Sequence, residues 1–231
     1  PLKIGEMAVV ELSHFSLEAQ GNADHQNVVR LAEQEGMRFE MLVPGEADKM
    51  FYELRAVSNA WLLIKGAREH SFSLGTADRR YLNRFPIALV RDARRRILAF
   101  ASLWVSTSYR EAEIDLLRCG YLAHDLTQHF LIVSLIQHFK AEGFSRLNLG
   151  LTPLVDADTH SLAALWRRFG PLLYNRGAPF YKLKTLRMYK EKFASTWEPL
   201  YLALPKGVRP EAALADVEYL ASMGAPGPKD E

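Results

Sequence analysis

The sequence predicts an α/β protein: an α+β-type mixed sheet with helices on both faces. Three observations carry this. "MRFEMLVP" (residues 37–44) alternates Met37, Phe39, Met41 and Val43 against Arg38, Glu40 and Leu42, the period of a strand. "PIALVRD", "ILAFASLWV" and "EAEIDLLR", between residues 86 and 118, are apolar or alternating runs with short links. "LTQHFLIVSLIQHFKAEG" (126–143) and "KLKTLRMYKEKF" (182–193) are too long and too rich in helix formers to be strands.

The remaining elements follow in order. "EMAVVEL" reads as a strand, and "ADHQNVVRLAEQEG" as a helix stopped by Gly36. "EADKMFYELRAVSNAWLLIKG" reads as a long helix ending at Gly66, followed by a loop over residues 67–85. The link "ARRR" between the first two of the three central runs is short enough for an antiparallel hairpin. "SRLNLGL" is a short strand, and "DTHSLAALWRRFG" a helix capped by Asp158 or Thr159. "EPLYLALP" is the last strand, "PEAALADVEYLASMG" a closing helix, and "GAPGPKDE" a disordered tail. From residue 37 the order is β-α-β-β-β-α-β-α-α-β, which is similar to the N-acetyltransferase-like (GNAT) fold. Residues 1–36 then look like a strand and helix left from an earlier unit.

Composition narrows the class. The 231 residues are 48% hydrophobic and 24% charged, with a net charge of +2. That is ordinary for a globular chain and too mild to imply nucleic-acid binding by itself. A single cysteine, Cys119, excludes an internal disulfide. No apolar run reaches the ~20 residues of a membrane-spanning helix, and the opening has no signal-peptide pattern. The chain opens on Pro1 in strand-like alternation, as a piece of a longer protein or a processed product does.

Common catalytic signatures are missing. There is no GxSxG, P-loop, HExxH or CxxC, and the seven histidines have no metal-ligand spacing. No metal and no cofactor is expected. An acetyl-CoA enzyme of this fold needs a Gly-rich turn whose N–H groups meet pyrophosphate. The corresponding stretch, "RCGYLAHDLTQHF", has one glycine.

Several polar residues stand out against this background. Asp115 and Arg118 lie three apart in one strand, with opposite parity, so a flat strand would not pair them. They are either an edge-strand ion pair of little energetic weight or, if the strand bulges or ends near Leu117, two groups turned into one cleft. On "KLKTLRMYKEKF", Leu183, Leu186 and Phe193 share a face and Lys190 falls among them, while Lys184 and Lys192 lie away. Lys190 is a snorkelling stem or a cation aimed at an anion. Gln128 and His129 fall outside the polar stripe Thr127, Ser134 and His138, near a helix start. Cys119 has no adjacent activating His and reads as a small buried thiol. The arginines of "ARRR" and "WRRFG" are solvated faces or phosphate contacts.

"SFSLG", "FPIALVRD", "ILAFASLW", "IDLLR", "GFSRLNLGLTPL", "FYKLKTLRMYKEKF" and "WEPLYLALP" occur in an order that resembles the C-terminal catalytic domain of aminoacyl-phosphatidylglycerol synthases. This is the lysyl- or alanyl-phosphatidylglycerol synthase family, also called multiple peptide resistance factor. The resemblance runs from about residue 3 to 222. It implies two tandem GNAT-like units: a remnant of the first at 1–36, the catalytic unit at 37–222, then the tail at 223–231. It implies transfer of an amino acid, lysine, alanine or similar, from aminoacyl-tRNA to a glycerol hydroxyl of phosphatidylglycerol, changing membrane charge and resistance to cationic antimicrobial peptides. It also implies an N-terminal membrane flippase part in the longer protein, and a place at the cytoplasmic face of the bacterial inner membrane.

By position, the family's DLMR motif falls on Asp115, Leu116, Leu117 and Arg118, and its lysine and glutamate on Lys190 and Glu198. Asp115, Arg118, Lys190 and Glu198 are thus the expected catalytic set. Gln128, His129, Asn148, Arg187 and Tyr181 are the expected substrate-binding set. Gln128-His129 stands where the family commonly has Met-Asp. Two other readings remain: an acyl-CoA-dependent N-acetyltransferase, and a non-catalytic tRNA- or lipid-binding module.

Overall fold

The structure is a computed structural model and describes residues 2–66, 69, 75–106, 108, 110–153, 180–210, 212, 213, 215, 216 and 219. Its strands are β1 (Leu2–Glu11), β2 (Arg38–Leu42), β3 (Ile87–Arg91), β4 (Ile97–Val105), β5 (Glu111–Cys119), β6 (Arg146–Pro153) and β7 (Thr196–Leu202). Its helices are α1 (Ala23–Gln34), α2 (Phe51–Lys65), α3 (Arg79–Leu82), α4 (Asp125–Ala141) and α5 (Phe180–Glu191). The expected helix "DTHSLAALWRRFG" lies outside the described residues, as does most of the closing helix.

The chain divides into two compact units. The central unit holds Val10–Lys65 and Thr76–Asn148; the terminal unit holds Pro1–Val9, Gly66–Gly75 and Leu149–Glu231. Residues 1–36 contribute to both. The leading part of β1 belongs to the terminal unit, while the rest of that stretch, α1 included, belongs to the central one.

In the central unit, β2, β3, β4 and β5 are antiparallel neighbours, and the first residues of β6 run parallel to β5. The sheet is therefore mixed. β3 is buried at Ile87, Ala88, Leu89 and Val90 alike, which requires cover on both faces. One cover is α2. Leu54 and Val57 pack with Ile87, Leu89, Phe100 and Leu116 in a single apolar cluster. The other is α4, with α1 packed against it.

That placement explains a difference from the expected helix face. Thr127 and Ser134 are buried, as are Phe130 through Ile136, so α4 has no solvated polar stripe along its length. It is a central helix, polar mainly at its two ends.

Two local features depend on particular residues. The β3–β4 hairpin closes where the Asp92 carboxylate accepts the Arg94 and Arg96 N–H groups, each at 2.9 Å, with Arg95 at φ 65°. The expected long helix at 46–66 begins instead with a 3-10 turn at Ala47–Met50 before α2 proper. The expected loop at 67–85 contains α3, capped by Asp78, whose carboxylate accepts the Tyr81 N–H at 2.7 Å.

In the terminal unit, β1 is antiparallel to β7, pairing Leu2 with Leu202 and Val9 with Thr196. Gly5 is required by its surroundings. A Cβ there would lie 2.4 Å from Leu151 Cδ1 and 2.5 Å from the Thr152 carbonyl oxygen. In and after α5, Lys190 and Phe193 are buried and Lys192 is exposed, the division that helical periodicity predicts.

Candidate active site

Asp115 sits on a β-bulge. Ser102 of β4 pairs with Leu116 and Leu103 with Ile114, so Asp115 has no register partner on β4. The extra residue reverses side-chain parity between Ile114 and Leu116. Arg118 lies opposite Phe100, a member of the α2-facing cluster, and Asp115 bonds Ser102 on that same face. The parity conflict in the sequence is resolved this way, with the bulge at Asp115 rather than near Leu117.

The Asp115 carboxylate is held by two hydroxyls. Its Oδ2 accepts from Tyr81 Oη and from Ser102 Oγ, both at 2.9 Å. Ser102 Oγ itself accepts the Leu116 N–H at 3.2 Å, and Tyr81 Oη accepts the Trp104 indole N–H at 3.2 Å. Burial, and then the Asp115 charge, push the Tyr81 phenol well above its ordinary value of 10.0, so it stays a proton donor at neutral pH. Trp104 is 41% exposed, so the far end of the network reaches solvent.

Arg118 is 9% exposed and its guanidinium lies 4.0 Å over the Trp61 ring of α2. A desolvated stack of this kind contributes up to about 2 kcal/mol and fixes the plane of the guanidinium. The result is an aligned cation and a hydroxyl-bonded carboxylate on one face of the sheet.

The other expected residues of the central unit behave differently. His129 is buried, its Nε2 2.7 Å from Nδ1 of buried His25 on α1. One ring must donate and the other accept, so this contact joins α4 to α1 and is not an open substrate contact. Gln128 is half-buried and Asn148 is buried on β6 beside Glu113 of β5. At the head of α4, the Thr127 hydroxyl accepts the His124 N–H at 3.2 Å, and His124 Nε2 lies 2.7 Å from the Glu35 carboxylate. Asp125 adds a negative charge to the first turn. Such an end is poorly suited to pyrophosphate.

In the terminal unit, Lys190 is 9% exposed and its ammonium donates to the Gly150 carbonyl at 2.9 Å and the Leu151 carbonyl at 3.0 Å. It is an anchored inward cation. Arg187 donates to Glu6 at 2.5 Å and Glu191 at 3.1 Å, and lies 4.3 Å over the Trp197 ring. These contacts make it a tie between α5, β1 and β7. Glu198 is exposed on β7, and Tyr181 lies in the first turn of α5. No group of three or more His, Cys, Asp or Glu among the described residues is placed to hold a metal ion.

Tyr81, Ser102, Trp104 and Trp61 are the residues that sequence reasoning missed. Tyr81 lay in a stretch read as loop. The other three look like ordinary strand or helix residues until the bulge brings Asp115 to their face.

Comparison with known proteins gives the family. The family model for the C-terminal part of phosphatidylglycerol lysyltransferase matches residues 1–204. A phosphatidylglycerol lysyltransferase from Bacillus subtilis is 32% identical over 205 residues, covering 88% of this chain and 24% of that protein. The chain thus spans about a quarter of the length of the curated relatives it matches. Among solved structures, a C-terminal domain from Agrobacterium fabrum assigned to lysylphosphatidylglycerol synthetases has 34% identity and a TM-score of 0.80, covering 98% of this chain and 67% of that one. L-PGS from Bacillus licheniformis has 28% identity and a TM-score of 0.79, covering 95% and 66%. With its mixed GNAT-like sheet and a family match over most of its length, the chain belongs to the phosphatidylglycerol lysyltransferase C-terminal family.

Proposed function

We propose that this chain is an aminoacyltransferase domain that moves an amino acid from aminoacyl-tRNA to a glycerol hydroxyl of phosphatidylglycerol. The observation that carries the reading is the bulged Asp115, held by Tyr81 and Ser102 on the face where Arg118 is aligned over Trp61.

The reaction is a transesterification. The lipid hydroxyl oxygen attacks the ester carbonyl carbon, and Asp115 takes the hydroxyl proton, directly or through one water. The new carbon–oxygen bond forms, the bond to the tRNA ribose oxygen breaks, and the proton passes to that oxygen. Arg118 holds the lipid phosphate or the oxyanion. Lys190 meets a terminal phosphate of the tRNA or the developing charge, its ammonium oriented by the Gly150 and Leu151 carbonyls. Glu198 receives the amino group of the donor or steadies Lys190. Nothing in this scheme needs a covalent enzyme intermediate, a metal or a cofactor.

The acceptor places the reaction at a membrane, on its cytoplasmic face, where charged tRNA is found. Among the described residues no helix is long and apolar enough to cross a membrane. An N-terminal flippase part in the longer protein would supply the anchor. An acyl-CoA donor is disfavoured by Asp125 and the side-chain capping at the head of α4.

The test is incubation of the chain with phosphatidylglycerol and radiolabelled lysyl-, alanyl- or arginyl-tRNA, followed by lipid chromatography. Labelled lipid is expected with one or more donors. Asp115→Asn should lower its rate by ~10²–10⁴, the usual worth of a positioned general base. Wild-type rates in Asp115→Asn remove the assignment, and binding of tRNA without any labelled lipid makes the chain a binding module.

A further inference from the structure

We propose that Tyr52, with Arg79 over its ring and Arg55 over that of the adjoining Phe51, is a stacking platform for the unpaired end of an RNA strand. This rests on the reading of the donor as an aminoacyl-tRNA and assigns a place to its single-stranded end.

Tyr52 is the second residue of α2 and is 76% exposed, whereas its neighbour Phe51 is 7% exposed. The two rings meet edge to face at 5.6 Å between centroids. The Arg79 guanidinium lies 5.1 Å over Phe51 and 5.7 Å over Tyr52, and Arg55 lies 5.9 Å over Phe51. Arg79 is also tied to Asp48 at 3.3 Å. The exposed ring is thus wedged against a buried one, with cations fixed beside it. Arg55 and Arg80 are exposed.

The nearby carboxylates are engaged. Asp48 takes Arg79, Asp78 takes the Tyr81 N–H, and Glu53 lies 3.7 Å from Arg91. An exposed ring set among arginines matches a strand that presents base faces and phosphates in alternation. A lipid surface is a poorer match. Tyr52 is the one large exposed apolar side chain in the first two turns of α2, too little area for insertion into a bilayer. The location also suits a reactive strand end. Arg79 and Tyr81 share the short helix α3, and Tyr81 is bonded to Asp115.

Fluorescence anisotropy with a labelled single-stranded RNA hexamer tests the proposal, alongside a duplex RNA of equal charge and vesicles containing phosphatidylglycerol. The wild-type chain should bind the hexamer. Tyr52→Ala should weaken that binding at least about fivefold and Tyr52→Phe should retain it, since a phenyl ring keeps the stacking face. Arg55→Ala and Arg79→Ala should each flatten the salt dependence by about 0.7 in log–log slope. A wild-type chain that binds no hexamer overturns the proposal, as does unchanged hexamer affinity in Tyr52→Ala. Loss of vesicle binding alone reassigns the patch to the membrane. Running the lipid transfer assay in parallel separates the two claims. Transfer with unchanged hexamer affinity in Tyr52→Ala removes only the platform; hexamer binding through Tyr52 without any transfer removes only the function.

Discussion

Trp104 donates its indole N–H to the Tyr81 hydroxyl oxygen at 3.2 Å, and this settles where the Tyr81 proton goes. An indole can only donate, so the phenol must accept from it and direct its own O–H to Asp115. Tyr81→Phe removes a donor from a carboxylate proposed as the general base. The expected result is about a tenfold fall in the rate of lipid labelling with a loss of about 1 kcal/mol in folding stability, read by urea unfolding. A variant as active as wild type would show that Tyr81 does not position Asp115.

Lys190 is predicted to matter for stability as well as turnover. Lys190→Met keeps the stem and removes the ammonium, leaving the Gly150 and Leu151 carbonyls without that donor. Hydrogen bonds from a charged donor are worth about 1.5–3 kcal/mol. The thermal midpoint should therefore drop by several degrees, by scanning calorimetry, in addition to the loss of transfer. Lys190→Arg should recover part of the midpoint.

Arg118 depends on Trp61 for its orientation. Trp61→Leu leaves Arg118 in place but removes the ring beneath it. Transfer should fall about three- to thirtyfold, corresponding to the ~0.5–2 kcal/mol of a cation–π contact. Kinetics at varied phosphatidylglycerol would show the effect mainly in KM if Arg118 holds the lipid phosphate, and mainly in kcat if it holds the oxyanion.

Acid should weaken the terminal unit through Glu6. Hydrogen bonds from Arg187 and then Lys3 hold its carboxyl below the ordinary 4.5, against the opposing effect of burial. A folded value below the unfolded one means that the unfolded chain takes up the proton first as pH falls. The stabilisation is in place above 4.5 and is lost as pH drops through the folded value. Between about pH 7 and about pH 3, Glu6→Gln should lose less thermal stability than wild type. Equal losses would show that the Arg187 pairing contributes nothing.

Cys119 should be inert. Burial pushes its thiol up to about 11, with Lys65 pulling slightly the other way. The thiolate fraction near pH 8 is then ~10⁻³, so labelling by iodoacetamide should be far slower than for a free cysteine. Cys119→Ser should transfer amino acid at the wild-type rate; loss of activity would reopen a nucleophilic role.

The sequence was most legible where local pattern decides structure. The runs at β3, β4 and β5 match closely, because alternation and a short hairpin link leave little choice of pairing. The inward turn of Lys190 also followed from helical geometry alone. Partner identity was not legible. His129 belongs to the expected substrate-binding set, yet its partner, His25, comes from a helix more than a hundred residues earlier. The bulge was inferable only as a conflict of parity, and its location depended on how Ser102 and Leu103 pair across the ladder. The histidine of the Gln128-His129 pair is spent on the α1–α4 contact.

The pairing of Leu2 with Leu202 sets a constraint on biosynthesis. β1 leaves the ribosome among the first segments described, and β7 about 190 residues later. At ~5–20 residues per second, one edge of β1 waits ~10–40 s for its strand partner. During that interval its backbone N–H and C=O groups form an open template for any other extended segment. The terminal unit cannot close before β7 has emerged, whereas the central unit is complete once Asn148 has emerged. Emergence of β7, not local helix formation, is therefore the event that finishes the terminal unit.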